Sequence, residues 1–322
     1  MEIRNNKRLI SLDPREYEHP LDKEALNKLE SIPGVKPLFK KIYKEIYEKL
    51  DYIQNSGSNL LLTKDNFPRV TKILNQASKV LDINLIPPIY VAGLDMYGNY
   101  TLNGWTGGAY QPHIVLTKRV LDELDDSELL ALIGHELGHI KSGHVLYRSI
   151  SDTLMSTLIE VISSFTLGLG SLPAQSIQIA LLQWYRMSEF TADRAGLLAC
   201  QDINACLRLE LKLAGLPQGS NIASFEKSFI KQATEFKEFD LQNVNKFMKF
   251  ISTAFNTHPF AVLRASQLID WEKSDEYKNI LTREKRNIVT DISSNSEFCP
   301  NCGINLLKGD KFCSGCGAKI SD

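Results

Sequence analysis

Charge of a single sign is what this sequence most plainly lacks. Its 37 Lys and Arg stand against 38 Asp and Glu, a formal net charge of -1 over 322 residues. That balance gives no global attraction to nucleic acid or to an anionic membrane, and no nucleic-acid partner is expected. A secretory leader is also missing, since Met1 to Arg8 is polar, with neither an apolar segment nor a small-residue cleavage site. Cysteine is scarce. Of six, Cys200 and Cys206 read as core thiols, whereas Cys299, Cys302, Cys313 and Cys316 crowd into the C-terminal end as two C-x-x-C pairs. This is a metal pattern and not a disulfide framework. Reduced thiolates and the missing leader together point to the cytoplasm.

Long apolar runs are wanting too. From Val161 to Tyr185 no residue is charged, but Ser, Thr and Gln side chains interrupt the stretch, and Gly168, Gly170 and Pro173 break its middle. A membrane-spanning helix needs about 20 predominantly apolar residues. Two buried helices joined by a turn are expected there, and membrane contact is not favoured. No internal repeat is found.

What is present divides by texture. Phe39, Ile42, Tyr43, Ile46, Tyr47, Leu50 and Ile53 recur at helical spacing and predict an amphipathic helix that stops near Asn55-Ser56-Gly57. A second helix is predicted from about Pro68 to Leu81, with Val70, Ile73, Leu74, Ala77 and Leu81 on one side. After Pro87-Pro88, short strands are predicted at 89–91, 100–103 and 113–117, with glycines at the turns between them. From Asp125 to about Glu284 nearly everything reads as helix. The expectation is a mostly helical α+β protein: an N-terminal helical region (1–64), a main domain (65–285), a linker (286–296) and a small C-terminal module (297–322).

Asp125 followed by Glu128 predicts a capping-box helix start upstream of His135-Glu136-Leu137-Gly138-His139. His135 and His139, four apart, share one helix face and can bind one tetrahedral zinc. Glu136 points beside the metal, where a carboxylate can take a proton from a water whose pKa zinc lowers to about 7. The apolar flanks Leu132, Ile133, Leu137 and Ile140 argue against a surface helix with incidental histidines. A third ligand is required. His144 lies about 140° around a regular helix from His139, so it reads as a helix-end residue or an outer partner. Downstream, Glu189 and Asp193 are four apart and face the same way. Glu189 can complete a two-His, one-Glu set, and Asp193 can accept the free N–H of a ligating histidine.

His135-Glu136-Leu137-Gly138-His139 followed by Gly143-His144, with Glu189-x-x-x-Asp193 downstream, resembles the M48 zinc metallopeptidases, which include the HtpX, Ste24 and Oma1-like proteases. Thr257-His258-Pro259 with Arg264 is similar to that family's H-P helix start, and Asn103-Gly104 stands in the position of its substrate-edge strand. The resemblance covers about residues 65 to 275. It implies a gluzincin-type metallopeptidase domain with a small edge sheet, Glu189 as third zinc ligand and Glu136 as catalytic base. It also puts His258 and Arg264 near the site, with His258 donating to the tetrahedral oxyanion. The sequence lacks the N-terminal transmembrane helices of the heat-shock group and the signal peptide and repeats of the periplasmic group, so neither group's substrates carry over.

Phe298-Cys299-Pro300-Asn301-Cys302-Gly303 and Phe312-Cys313-Ser314-Gly315-Cys316-Gly317 are two near-identical knuckles. Four thiolates form a closed, structural zinc site, and a module with almost no core needs that metal to fold. It resembles a zinc ribbon. Lys308, Lys311 and Lys319 are too few for a nucleic-acid surface, which leaves a protein partner. Two zinc ions are therefore expected, one catalytic and one structural. The expected activity is endopeptidase hydrolysis of peptide or protein substrates. The alternative is a non-proteolytic zinc scaffold or adaptor that recruits a partner through its ribbon.

Overall fold

The amphipathic tract near the N-terminus does not run as one regular helix. In the computed structural model, which describes residues 6–95, 98–154, 174–217, 219–239 and 260–282, α1 (Pro20–Glu30) is followed by α2 (Val35–Ile42). The chain then passes through a π-helical turn, Tyr43–Tyr47, into α3 (Glu48–Ser58). As far as the turn the expected face is buried, with Phe39, Ile42, Tyr43 and Tyr47 in the core. Beyond it, Leu50 and Ile53 are 50% and 66% exposed, and Asn55 is buried in their place. The wider turn holds one residue more than an α-turn, which rotates the rest of the helix by about 100°.

Four short strands follow a simpler logic. β1 (Leu60–Leu62), β2 (Ile89–Ala92), β3 (Gly104–Gly107) and β4 (His113–Thr117) form one sheet in the order β1-β2-β4-β3. β2 and β4 are parallel, and both edge strands pair antiparallel. The run at 100–103, predicted as a strand, is not one. Asn103 does pair with Thr117, donating its amide to the Thr117 hydroxyl (3.0 Å) and accepting the Thr117 amide (2.9 Å), but the strand proper begins at Gly104. A β-carbon on Gly104 would lie 3.1 Å from Leu116 Cδ2, and one on Gly107 would lie 2.6 Å from His113 Nε2. Glycine at each end thus lets this edge strand lie close against Leu116 and His113 without displacing them. β1 was not foreseen, since Leu60-Leu61-Leu62 has no alternation to read.

α4 (Pro68–Val80) buries Val70, Ile73, Leu74 and Ala77 as its spacing predicts. After α5 (Lys118–Glu123) comes α6 (Asp126–Lys141), opened by the predicted capping box. The Asp125 carboxylate accepts from the Ser127 and Glu128 amides, and the Glu128 carboxylate accepts from the Asp125 amide. Every residue from Glu128 to Lys141 is buried, because α6 is the central helix of the fold. The chain continues through α7 (Val145–Leu154), α8 (Ala174–Cys200), α9 (Ile203–Leu213), α10 (Ile222–Phe239), α11 (Ala261–Glu272) and α12 (Asp275–Thr282).

α6 and α8 make the most extensive helix contact of the molecule, and small residues line it. A β-carbon on Gly134 would lie 2.3 Å from that of Ala199, and one on Gly138 would lie 2.5 Å from that of Ala195. The backbones thus approach closely and set α6 side chains against those of α8. α1 packs along the other side of α8. Thr191 Oγ1 donates to Asp22 Oδ2 (2.6 Å) and accepts the His19 amide (3.0 Å). Arg194 Nη1 donates to the carbonyls of Tyr17 and Glu18.

Of the long uncharged stretch, the part from Ile177 onward lies in α8, where Ile177, Leu181, Leu182, Trp184 and Tyr185 are buried. Residues 155–173 lie outside the described residues. Among the described residues no helix is long and apolar enough to cross a membrane.

Candidate metal centre

His135 and His139 stand one turn apart on α6, with Glu189 of α8 opposite them. The two Nε2 atoms are 3.1 Å apart. Glu189 Oε2 lies 3.8 Å from His135 Nε2, and its Oε1 lies 3.4 Å from His139 Nε2. All three residues are buried, and among the described residues they are the group whose donor atoms could share one metal ion. Bonds of about 2.0–2.1 Å at tetrahedral angles would space two zinc-bound nitrogens about 3.3 Å apart. The observed spacing fits zinc.

Hydrogen bonds on the far side of each ring settle which nitrogen is free. His135 Nδ1 donates to Asp193 Oδ1 at 2.9 Å. His139 Nδ1 lies 3.0 Å from His144 Nδ1, and His144 Nε2 lies 3.1 Å from Asp22 Oδ2. A carboxylate only accepts, so His144 carries its proton on Nε2, its Nδ1 accepts, and His139 Nδ1 donates. Both Nε2 atoms then present bare lone pairs to one point beside a carboxylate. Such a constellation can hold a cation between its members.

His144 reaches His139 because α6 ends before it. Gly143 takes the left-handed conformation (φ 72°), its amide bonds the Ile140 carbonyl, and the His144 amide bonds the His139 carbonyl. This is the Schellman turn that glycine supplies at helix ends. It returns the His144 ring to His139, which the regular-helix angle did not anticipate.

Buried charge surrounds the ligand cluster. Arg264 on α11 donates through Nε and Nη2 to the two carboxylate oxygens of Asp193 (2.9 and 2.5 Å). Its guanidinium also lies 3.1 Å from Glu210 Oε1 and 3.6 Å from Glu189 Oε2. Burial alone would raise the Asp193 carboxyl, but the Arg264 charge and hydrogen bond hold it below the usual carboxylate range. Burial also opposes charge on His135, yet the Asp193 hydrogen bond and the Glu189 charge outweigh it and raise the imidazole. His139, buried and beside Arg148, is held well below its ordinary range. His139 is therefore a neutral donor, as metal ligation by an imidazole requires. Arg148 of α7 bonds Glu189 Oε1 directly and donates to the Tyr185 hydroxyl at 2.8 Å. Burial pushes Glu210 up to about 7 despite Arg264, and its Oε2 has no hydrogen-bond partner.

Glu136 is anchored to the edge strand, where its Oε2 accepts from the Thr106 hydroxyl at 2.6 Å. A cavity of about 430 Å³ opens beside it, lined by Asn103, Gly104, Leu132, His135, Glu189 and Leu209 among others. A carboxylate, two of the three ligand residues (His135 and Glu189) and an edge strand thus border one cleft. That is what hydrolysis of an extended polymer requires.

The fold brings His135, His139, Glu189, Glu136, Asp193 and Arg264 together. His258, Cys299, Cys302, Cys313 and Cys316 lie outside the described residues. Sequence reasoning missed Asp22, Thr106, Arg148 and Glu210. Arg148, four residues after His144, is the one that local spacing could have signalled. Asp22 and Thr106 arrive from distant elements and carry no local signature.

A family model described as peptidase family M48 matches residues 65–272, and a zinc-ribbon domain model matches residues 292–320. The chain is similar to a plastoglobule-localized metallopeptidase 48 of Arabidopsis thaliana, chloroplastic, with 29% identity over 277 residues, covering 85% of this chain and 77% of that protein. It is also similar to an HtpX protease homologue of Salinibacter ruber (26% over 171 residues, covering 48% of this chain and 58% of that one). A second HtpX homologue, from Sulfurihydrogenibium sp., is 30% identical over 205 residues, covering 54% of this chain and 64% of that one. The chain thus spans less than two thirds of the length of either HtpX homologue. No solved structure gives a significant match.

Proposed function

The chain belongs to peptidase family M48 and is a metalloprotease, and from that premise we propose that it is a zinc-dependent endopeptidase in which Glu136 is the general base. The observation that carries this reading is the convergence of the His135 and His139 Nε2 atoms, 3.1 Å apart, on the Glu189 carboxylate beside the cleft. Zinc held by these three residues would supply a Lewis acid, polarising the scissile carbonyl and making water nucleophilic at neutral pH.

The protein's own groups do the rest. The edge strand Gly104–Gly107 lies against the cleft and aligns an extended substrate beside Glu136. Thr106 holds one oxygen of Glu136, leaving the other free to take a proton from the attacking water and return it to the leaving amine. Asp193, fixed by Arg264, keeps His135 in the tautomer that leaves Nε2 bare. His258 is proposed as a donor to the oxyanion, by the family's H-P pattern. A second, structural zinc is assigned to Cys299, Cys302, Cys313 and Cys316, and the ribbon to a protein partner. The reduced thiolates of that site favour the cytoplasm.

The test is digestion of an unfolded protein such as casein with and without chelator, in the wild type and two variants. Glu136→Gln should abolish hydrolysis with zinc retained, and Glu189→Gln should weaken zinc binding as well. A Glu136→Gln protein that loses its metal, or keeps full rate, overturns the assignment.

A further inference from the structure

The two histidines of the metal centre are not held alike. His135 is backed directly by a carboxylate, that of Asp193. His139 is backed by a second imidazole, and the carboxylate comes one place further out, on Asp22. Asp22 belongs to α1, outside the residues 65–272 that match the family model. It is fully buried, and the oxygen that faces His144 is also fixed by the Thr191 hydroxyl at 2.6 Å. His144 is 3% exposed and stands edge-on to Trp184, with ring centroids 5.5 Å apart and an interplanar angle of 86°. Its ring therefore has one orientation, set on one side by Trp184 and on the other by the Schellman turn that delivers it to His139.

We propose that Asp22, acting through His144, is the positioning group for His139, so that the N-terminal helix completes the metal centre. The proposal rests on the reading of His139 as a zinc ligand. No proton moves in it. The Asp22 charge holds the His144 proton on Nε2, which makes His144 Nδ1 the acceptor that fixes His139 Nδ1–H. The negative end of this chain increases the donor strength of His139 Nε2, as an outer carboxylate does for a ligating histidine. Without Asp22, His144 is free to take the other tautomer. Its Nδ1–H would then confront His139 Nδ1–H, and one of the two hydrogen bonds would be lost.

The experiment compares full-length zinc-loaded wild type, Asp22→Asn, Asp22→Ala and His139→Ala. Zinc release to a chromogenic chelator is followed after mixing, and the visible absorption bands are recorded after cobalt substitution. The release phase lost in His139→Ala identifies the histidine site and separates it from the four-cysteine site. In that phase Asp22→Ala should release zinc on the order of 10–100-fold faster than wild type, the usual cost of losing an outer partner. Asp22→Asn keeps the shape of the side chain without its charge. It should show a smaller acceleration together with shifted cobalt bands, a change that mere loss of helix docking does not produce. If Asp22→Asn matches wild type in both rate and bands, whatever Asp22→Ala does, α1 is only a structural support and the proposal is overturned. If His139→Ala leaves every release phase unchanged, the metal-site reading itself fails and takes this proposal with it.

Discussion

Gly138 of α6 and Ala195 of α8 meet with no room for one more methyl group, since a β-carbon on Gly138 would lie 2.5 Å from that of Ala195. The neighbour is fixed to backbone and cannot swing aside. Gly138→Ala gains about 0.5–1 kcal/mol of helix preference, but forcing a methyl into a packed interior costs about 1–3 kcal/mol. The net expectation is destabilisation by about 1 kcal/mol, with faster zinc loss because His139 is the next residue. Denaturant unfolding of the zinc-loaded protein checks this, and an equally stable variant would contradict the packing account.

Thr106 supplies the hydrogen bond that fixes Glu136. Thr106→Val keeps the shape and removes the donor. A hydrogen bond to a charged group is worth about 1.5–3 kcal/mol. The expected result is a fall in kcat on the order of tenfold or more, with zinc content unchanged. A fall in zinc content instead would show that Thr106 acts on the metal ligands and not on the base.

Arg264 is the sole described partner that contacts Asp193, Glu210 and Glu189 together. Removing one member of a buried ion pair costs about 3–5 kcal/mol, because the remaining charge is stranded. Arg264→Ala should lose roughly that much stability, and zinc affinity with it, as Asp193 loses its anchor. Arg264→Lys cannot make the two-pronged contact and should fall between. Thermal unfolding with and without zinc measures both effects, and a variant with wild-type stability would refute the anchoring role.

How much of this was legible beforehand depends on distance along the chain. The α6 motif, its capping box and the Glu189/Asp193 pair obey helical spacing, so their common face could be read from residue order alone. The π-turn at Tyr43–Tyr47 could not, since its sequence keeps the apolar spacing that the turn then dephases, leaving Leu50 and Ile53 in solvent. The edge strand was misplaced because β-propensity favours Tyr100 to Asn103, whereas close cross-strand contacts select the glycines that follow. Asp22 had no signal at all, as a lone acidic residue in a first helical turn ordinarily reads as favourable to the helix dipole.

One pH effect lies away from the site. Asp51 of α3 is half-buried beside Asn55 and His113, and desolvation pushes its carboxyl up to about 7. Asn55 donates to His113 Nε2 at 2.6 Å, and burial holds His113 below its ordinary range, so this imidazole is neutral and gives Asp51 no counter-charge. The folded state thus favours protonated Asp51, whereas the unfolded carboxyl titrates near 3.9. The stabilising contribution is complete below about pH 4 and is lost as pH rises toward 7. Asp51→Asn should flatten this slope. Unfolding free energies measured from pH 4 to 8 test it, and parallel curves for the two proteins would rule it out.

Removal of residues 296–322 tests the proposed separation of the ribbon. The truncated chain should keep one zinc by elemental analysis where the full chain holds two, and should still hydrolyse a short peptide. A collapsed rate at equal occupancy of the histidine site would mean that the ribbon packs on the cleft.

The Asp22–Thr191 hydrogen bond closes a loop of 169 residues. Contacts so distant in sequence form late, because chain closure must be achieved before they give any return. During synthesis at about 5–20 residues per second, the first helix emerges roughly 10–30 s before its partner on α8 exists. Neither an N-terminal fragment nor a chain stalled midway can bring Asp22, His144 and Glu189 together. The metal centre therefore cannot be completed on the nascent polypeptide until α8 has been made.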